Sequence, residues 1–498
     1  MSEASEQVQE SPEMVETQEE EIGLLDQIIN QNRIGRDDEQ REQSRRQIAT
    51  LVDEVMKGEM TVSKDLEATI NARIADIDAL LSKQLNAIMH AEEFQKLEGS
   101  WRGLHHLVHQ TETSTMLKLR VMNVNKRDLL RDLERATEFD QSALFKKIYE
   151  EEYGTFGGAP YSCLIGDYEF SRHPQDLALL EKISQVAAAA HAPFISAADP
   201  NLFNLDSFTE LGTPRDLARI FDTVEYAKWQ SFRQSEDSRY VALTLPHILM
   251  RLPYGPDTVP VERFNFKEDV DGTDHSKYLW SNAAYALGVR ITNAFARYGW
   301  TAAIRGVEGG GRVEGLPTHT FKTDDGEVAL KCPTEIAITD RREKELADLG
   351  FIPLVHCKGT DYAAFFSTQT NQKAKKYDTD AANANARLST QLQYILAVSR
   401  FAHYLKTIMR DKIGRFMTRG ECQAYMNRWI NNYVVGSDDA GQELKAQYPL
   451  REARIDVSEI PGKPGAYRAV AFLKPHFQLD ELTVSLRLVA ELPPPVGG

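Results

Sequence analysis

Three stretches of this chain hold residue types whose spacing could do chemistry. The richest is Gly306-Val307-Glu308-Gly309-Gly310-Gly311-Arg312-Val313-Glu314-Gly315. A phosphate cradle needs a Lys-Ser/Thr pair after the glycines and a helix opening at the last of them. Neither is present, so an enzyme with a Gly-rich loop at 309–315 stays an alternative without a named catalytic group, beside a tight loop that uses glycine's freedom at positive φ. His105 and His109 have the i, i+4 spacing of paired metal ligands, but the glutamate of H-E-x-x-H and a third ligand are missing. Asp269, Asp271, Gly272 and Asp274 imitate a calcium loop only in part. Their glycine falls at the fourth position instead of the sixth, and Trp280 stands where the bidentate glutamate belongs. Cys163, Cys332, Cys357 and Cys422 are scattered without C-x-x-C spacing, and no G-x-S-x-G elbow ties Ser162 or Cys163 to a base. The residues therefore nominate no catalytic, cofactor or metal site, and the expectation is a protein without enzymatic activity.

Bulk properties narrow the class further. With 58 Lys and Arg against 74 Asp and Glu, the chain carries a formal charge of -16, which opposes binding to nucleic-acid phosphates. No apolar run approaches the roughly 18 residues of a spanning helix, so membrane insertion is not expected. The N-terminus is acidic where a secretory signal would be basic and then apolar, which points to the cytoplasm.

The elements that would position functional residues follow from periodicity. Residues 1–21 contain eight glutamates and no Lys or Arg, a composition expected to stay disordered. Next come Ile22, Leu24, Leu25, Ile28 and Ile29, which share one face of a short helix. Amphipathic helices are predicted over about 41–56 and 64–88, as long N-terminal arms. Leu117, Leu119 and Val121 alternate with polar neighbours and predict a strand. Helices are then expected at 128–135, 142–149, 174–190 and 283–298, and strands at 161–165, 194–198, 239–245 and 301–305. That alternation predicts an α/β protein with a mixed central sheet and flanking helices. Helix returns from 383 to about 417. Strands follow around Ile455 and Val457, then Tyr467, Ala469, Ala471 and Leu473, and lastly Val484, Leu486 and Leu488. By pattern alone those three strands fit an ordinary antiparallel sheet that closes its own domain. The expected division is 1–35, 36–115, 116–382 and 383–498.

Several uncommon strings resemble signatures of the large subunit of the type VI secretion contractile sheath, the TssC or VipB family. They are residues 93–104 (EFQKLEGSWRGL), 164–170 (LIGDYEF), 252–255 (LPYG), 299–300 with 304–311 (GW, IRGVEGGG), 332–336 (CPTEI), 399–406 (SRFAHYLK) and 474–478 (KPHFQ). They lie in order from about residue 60 to the end. Ser281 departs from the family pattern, which leads one to expect glycine there.

The resemblance implies a structural polymer subunit. It would pair with a small sheath subunit (TssB or VipA), stack with its own copies around the Hcp tube, grow from a baseplate, and be dismantled after contraction by the AAA+ ATPase ClpV. The C-terminal strands would then form a β-rich intersubunit region, and Ile22 to Ile29 a ClpV-binding helix. Four buried aliphatic side chains offer on the order of 6 to 12 kcal/mol gross. Ordering about ten residues costs a comparable amount, so a single motif would bind weakly and an array tightly. One more face stands out along 400–419: Arg400, Lys406, Arg410, Lys412, Arg415 and Arg419 form a basic side that fits an acidic partner such as the tube, or equally a solvated face. A scaffold outside secretion is the remaining alternative.

Overall fold

The computed structural model describes residues 38–56, 66–213, 215–322, 326–413, 415, 417–437, 439–462 and 466–479. The helices used below are α1 (Asp38–Met56), α2 (Leu66–Met89), α3 (Glu92–His109), α4 (Lys126–Arg135), α5 (Pro174–Ala190), α6 (Ala227–Gln234), α7 (Ala284–Tyr298), α8 (Asp340–Asp348), α9 (Asp380–Leu388), α10 (Leu392–Asp411) and α11 (Arg419–Asn431). The strands are β1 (Leu164–Phe170), β2 (Phe194–Ala198), β3 (Val241–Leu245), β4 (Ile248–Leu249), β5 (Trp280–Ser281), β6 (Arg312–Val313), β7 (His319–Lys322), β8 (Val328–Lys331), β9 (Ile352–His356), β10 (Ala363–Phe365), β11 (Leu450–Glu459) and β12 (Tyr467–Pro475).

The chain divides into two compact units. The first contains α1 and α2 as far as Lys83, with Arg263–Asn265, whose Asn265 amide donates to Asp78. Within it Ile70, Ile74, Ile77, Leu80 and Leu81 are exposed.

The second unit is built on a six-stranded sheet ordered β1-β2-β3-β9-β10-β6. Its first four strands are parallel, and β10 is antiparallel to both its neighbours, β9 and β6. Every residue of β2 and β3 is buried, as expected of largely apolar strands covered on both faces, and the two polar members, Ser196 and Thr244, donate their hydroxyls to backbone carbonyls. Even positions Phe194 and Ala198 join the core under α5, with Leu180, Ile183 and Val186, while odd Ile195 joins the core under α7 and α10, with Leu287, Ile291 and Leu396. This is an α/β fold with a mixed central sheet. Proline at the first turn starts α5, and His191 in a left-handed conformation ends it.

Several sequence expectations fail for tertiary reasons. Residues 116–122 form no strand: Met116 and Val121 are 66% and 70% exposed, and no neighbouring strand pairs with them among the described residues. Residues 301–305 are also irregular, because Trp300 and Ile304 anchor the segment to two different core clusters and it then enters the glycine turn. The helix expected at 142–149 is a short α turn followed by a π-helix over Lys146–Tyr153. The strand expected at 161–165 begins at Leu164 and runs to Phe170. The helix expected from 383 to 417 is broken into α9 and α10 and stops at Asp411.

Two features fix the loops that join these layers. Gly306 and Gly310, at φ 74° and 95°, bend one wide turn in which the Gly311 amide donates to the Gly306 carbonyl over 2.8 Å. At Gly310 a Cβ would collide with the Ala303 carbonyl oxygen, so the run is a packed turn. The second feature is a polar knot. His247 bonds Glu335 through Nδ1 (2.6 Å) and Glu169 through Nε2 (2.9 Å), and His275 Nε2 reaches the other Glu335 oxygen at 3.1 Å. Burial works against charge on His247, but the carboxylates of Glu335 and Glu169 outweigh it and hold the imidazole well above its ordinary value. Burial likewise opposes ionised Glu335, and His247 with His275 outweighs it, leaving that carboxyl well below the usual range.

Candidate assembly site

The C-terminal hairpin pairs β11 with β12 over its whole length, Ile455 opposite Ala471 and Val457 opposite Ala469. Ile455 is fully buried and Val457 nearly so, packed with Phe401, Leu405, Met426 and Ile430 of α10 and α11. Ala453, Tyr467, Ala469, Ala471 and Leu473 are partly buried against the same cluster. The side chains expected to meet a neighbour therefore hold the hairpin to its own body. On the other face Val470 and Phe472 are exposed, with Arg454 stacked over the Phe472 ring at 4.9 Å. Val484, Leu486 and Leu488 lie outside the described residues, as do Ile22, Leu24, Leu25, Ile28 and Ile29.

The two edges of the hairpin differ. Asn427 of α11 accepts the Ile455 amide (2.9 Å) and donates to the Ile455 carbonyl (2.7 Å), and Gln423, one helical turn earlier, accepts the Val457 amide (3.2 Å). Two side-chain amides thus occupy the outer edge of β11, as a neighbouring strand would. Because backbone groups alternate between edges along a strand, even residues of β11 face β12. By the register, Tyr467, Ala469, Ala471 and Leu473 turn their amides and carbonyls away from β11. No strand lies beside that edge among the described residues. An open edge of this kind accepts a further strand through main-chain hydrogen bonds.

A second unpartnered surface lies on α3. One face of this helix fits closely against the body: a Cβ at Gly99 would come within 2.7 Å of the Trp280 carbonyl oxygen. Ser281 Oγ, buried, donates to the Gly99 carbonyl over 2.8 Å, so the hydroxyl at this departure from the family pattern is a satisfied contact between α3 and β5. The opposite face presents Phe94, Leu97, Trp101 and Val108, with Trp101 65% exposed. Exposed large apolar side chains gathered on one helix face make this a candidate interaction surface.

The residues first considered for chemistry are engaged locally. The His105 and His109 rings lie against each other, centroids 3.9 Å apart at a tilt of 31°. Asp271 accepts the Thr273 hydroxyl and amide and the Asp274 amide, which closes its own turn. All four cysteines are free thiols. Among the described residues no three His, Cys, Asp or Glu side chains converge as a metal site, and no helix is long and apolar enough to cross a membrane.

Residues 71–372 match the VipB tail sheath N-terminal domain, and residues 381–492 match the VipB tail sheath gpW/gp25-like domain. The type VI secretion system sheath protein TssC1 of Pseudomonas aeruginosa is 54% identical over 449 residues, 90% of either chain. The chain belongs to the TssC/VipB family of type VI secretion sheath proteins. It is accordingly a subunit of a contractile sheath, and the hairpin and α3 lie on a protein whose family assembles into a lattice. Two solved structures are also similar, both at 9% identity: the anti-feeding prophage baseplate, with TM-score 0.34 over 63% of this chain and 66% of that one, and the contracted helical sheath of the same particle, with TM-score 0.32 over 62% and 66%. At that level of likeness they carry no argument.

The basic side expected along 400–419 of this TssC-family chain is not one surface. α10 stops at Asp411, and Thr418 with Glu421 forms a capping box that starts α11 at Arg419. Lys406 donates to the Tyr149 hydroxyl over 3.1 Å and sits 3.6 Å from the Tyr153 ring centre. Arg410 donates to the carbonyls of Tyr153 (2.7 Å) and Thr155 (2.8 Å). Arg400 and Lys412 stack on Tyr404 and Tyr425. Arg415 and Arg419 are exposed. Four of the six cations thus bind this chain's own aromatic rings and carbonyls. The sequence did contain the Thr418-x-x-Glu421 signal for a new helix start, and the four-residue spacing of Gln423 and Asn427 placed both on one helix face. Which backbone they would meet depends on long-range packing.

Proposed function

We propose that this chain is the large, non-enzymatic subunit of a cytoplasmic contractile sheath, linked to its neighbours by strand addition at the outer edge of β12. The observation that carries this reading is the asymmetry of the hairpin: side-chain amides meet the β11 edge at Ile455 and Val457, and the β12 edge is open among the described residues. A strand from the small sheath subunit or from another copy would satisfy the outward groups of Tyr467, Ala469, Ala471 and Leu473. The segment Val484 to Leu488 would in turn be offered to a neighbour. Main-chain ladders of this kind tether subunits while letting them swing as rigid bodies, which is what a lattice that changes length requires. The small subunit would cover the apolar face of α3, where burying Trp101 and Leu97 contributes on the order of 1.5–3 kcal/mol each. Heterodimers would stack around the Hcp tube from a baseplate. Of the basic side chains considered for tube contact, Arg415 and Arg419 are the ones left to reach an acidic partner.

Ala471→Pro removes one outward amide and leaves the ladder to β11 its inward donors. Co-expressed with the small subunit, this variant is expected to give soluble heterodimers and no sheaths by electron microscopy. Sheaths of normal length would refute the edge assignment.

Ile22 to Ile29 would recruit ClpV to the contracted sheath, where many copies act together. The double change Leu25→Asp and Ile28→Asp should leave contraction intact and leave contracted sheaths undissolved in the presence of ClpV and ATP. Disassembly at the ordinary rate would eliminate the motif.

A further inference from the structure

A pocket of about 940 Å³ opens among α6, α8 and the segments 211–222 and 336–339. Leu211, Phe221, Ile336 and Leu349 give it apolar wall, and six cations against four carboxylates line it. Two of the lining side chains, Trp229 and Arg233, stand one turn apart on α6 and so share a face of that helix. Trp229 is fully buried, and its indole N–H has no acceptor among the described residues. Phe351 and Phe232, with ring centres 5.7 and 5.6 Å away, hold the indole so that it cannot turn to find one.

Arg233 is buried as well, at 7% exposed. Its Nε donates to the Asn371 carbonyl over 2.9 Å and its Nη2 to the Asp348 carbonyl over 3.4 Å, so its partners are neutral carbonyls, and no carboxylate balances the charge among the described residues. Burial without a counter-charge pushes this guanidinium down to about 10. Three of the four carboxylates of the lining are engaged elsewhere. Glu345 accepts the Leu217 amide (2.8 Å) and pairs with Arg342 (2.6 Å), Asp222 accepts the Gln230 side chain (3.4 Å), and Asp216 accepts the Arg219 amide (3.2 Å). The fourth, Asp348, is exposed, as are the cations Arg341 and Lys373. Indole and guanidinium are donors only. What completes them is therefore an acceptor that carries negative charge, and the apolar wall selects one mounted on an apolar body.

We propose that this pocket binds a small organic anion, a carboxylate or phosphate monoester on an apolar body. Arg233 would hold the oxyanion through the free part of its fork, Trp229 would supply a further donor, and Leu211, Ile336 and Leu349 would cover the body. No residue of the C-terminal hairpin or of α3 lines the pocket, so this inference and the strand-addition reading can fail independently.

Isothermal titration calorimetry of the full chain with 1-naphthyl phosphate and with 1-naphthoate is the test, 1-naphthol being the neutral counterpart. At least one of the anions should saturate a single site below about 1 mM, the affinity expected of about fifteen non-hydrogen atoms, and 1-naphthol should bind about tenfold more weakly or worse. The tighter anion identifies the group as phosphate or carboxylate. Arg233→Lys keeps the charge and loses the fork, and should weaken binding about tenfold. Because that side chain is buried, the exposed pair Arg341→Ala with Lys373→Ala serves as a second variant, expected to weaken binding severalfold and to lessen its salt dependence. The proposal is overturned by no saturable heat with either anion, or by 1-naphthol binding as tightly as they do. Unchanged affinity in Arg233→Lys, or in the exposed pair should Arg233→Lys not fold, overturns it equally.

Discussion

Replacing Gly310 by alanine should destabilise the chain by about 3 kcal/mol or more, whereas Gly309→Ala next to it should change stability by less than about 0.5 kcal/mol. At Gly310 the backbone has φ 95°, and a methyl group would meet the Ala303 carbonyl oxygen, a backbone atom held in place by the packed side chains of Trp300 and Ile304 on either side. At Gly309 the same methyl meets nothing within 4 Å. Urea denaturation of the two variants makes the comparison. Equal midpoints would mean that the turn yields, and the packing account of this glycine run would have to be abandoned.

The second large effect is expected at His247. His247→Gln removes the cation that Glu335 and Glu169 share. Breaking a buried ion pair by deleting one partner costs roughly 3–5 kcal/mol. The lower end applies here, because the Glu169 side chain is 45% exposed and partly screened by water, whereas that of Glu335 is 8% exposed. Stability should also depend on pH with a definite sign. His247 titrates near 6.5 when unfolded and well above that when folded, so its contribution is complete below about pH 6.5 and is lost as pH rises through the folded value. Glu335 behaves oppositely: its contribution is present above about 4.5 and is lost as pH falls towards its depressed folded value. The unaltered chain should therefore lose stability on the alkaline side, and the His247→Gln chain should lose less. Parallel alkaline slopes for the two proteins would contradict this account.

What could be read from the sequence was local and periodic. The runs that became β2 and β3 were legible because a strand buried on both faces is apolar at most positions, here at all but Ser196 and Thr244, and α5 was legible because proline opens it. Alternation misled where no strand lies alongside among the described residues, as at Leu117 to Val121, since period two describes a chain that could pair and says nothing about a partner. The basic side of 400–419 misled for a related reason. Charges drawn on a helical wheel look solvated until Tyr149, Tyr153 and the Thr155 carbonyl arrive from another part of the chain. The hairpin itself was predicted with nearly its observed limits. Its difference between edges was not, because it depends on Asn427 and Gln423 meeting the Ile455 and Val457 backbone across a packed helix. The knot of Glu169, His247, His275 and Glu335 was invisible for the same cause, as its members come from four separate segments.

The amides of Asn427 and Gln423 have a consequence for growth. A ribbon of hairpins whose margins were both vacant could zip onto itself without end, the route by which stacked strands become insoluble fibres. If subunits join by strand addition, a margin stoppered from within at Ile455 and Val457 would leave each molecule a single flank for a newcomer, and stitching between molecules would have a direction and a natural stopping point.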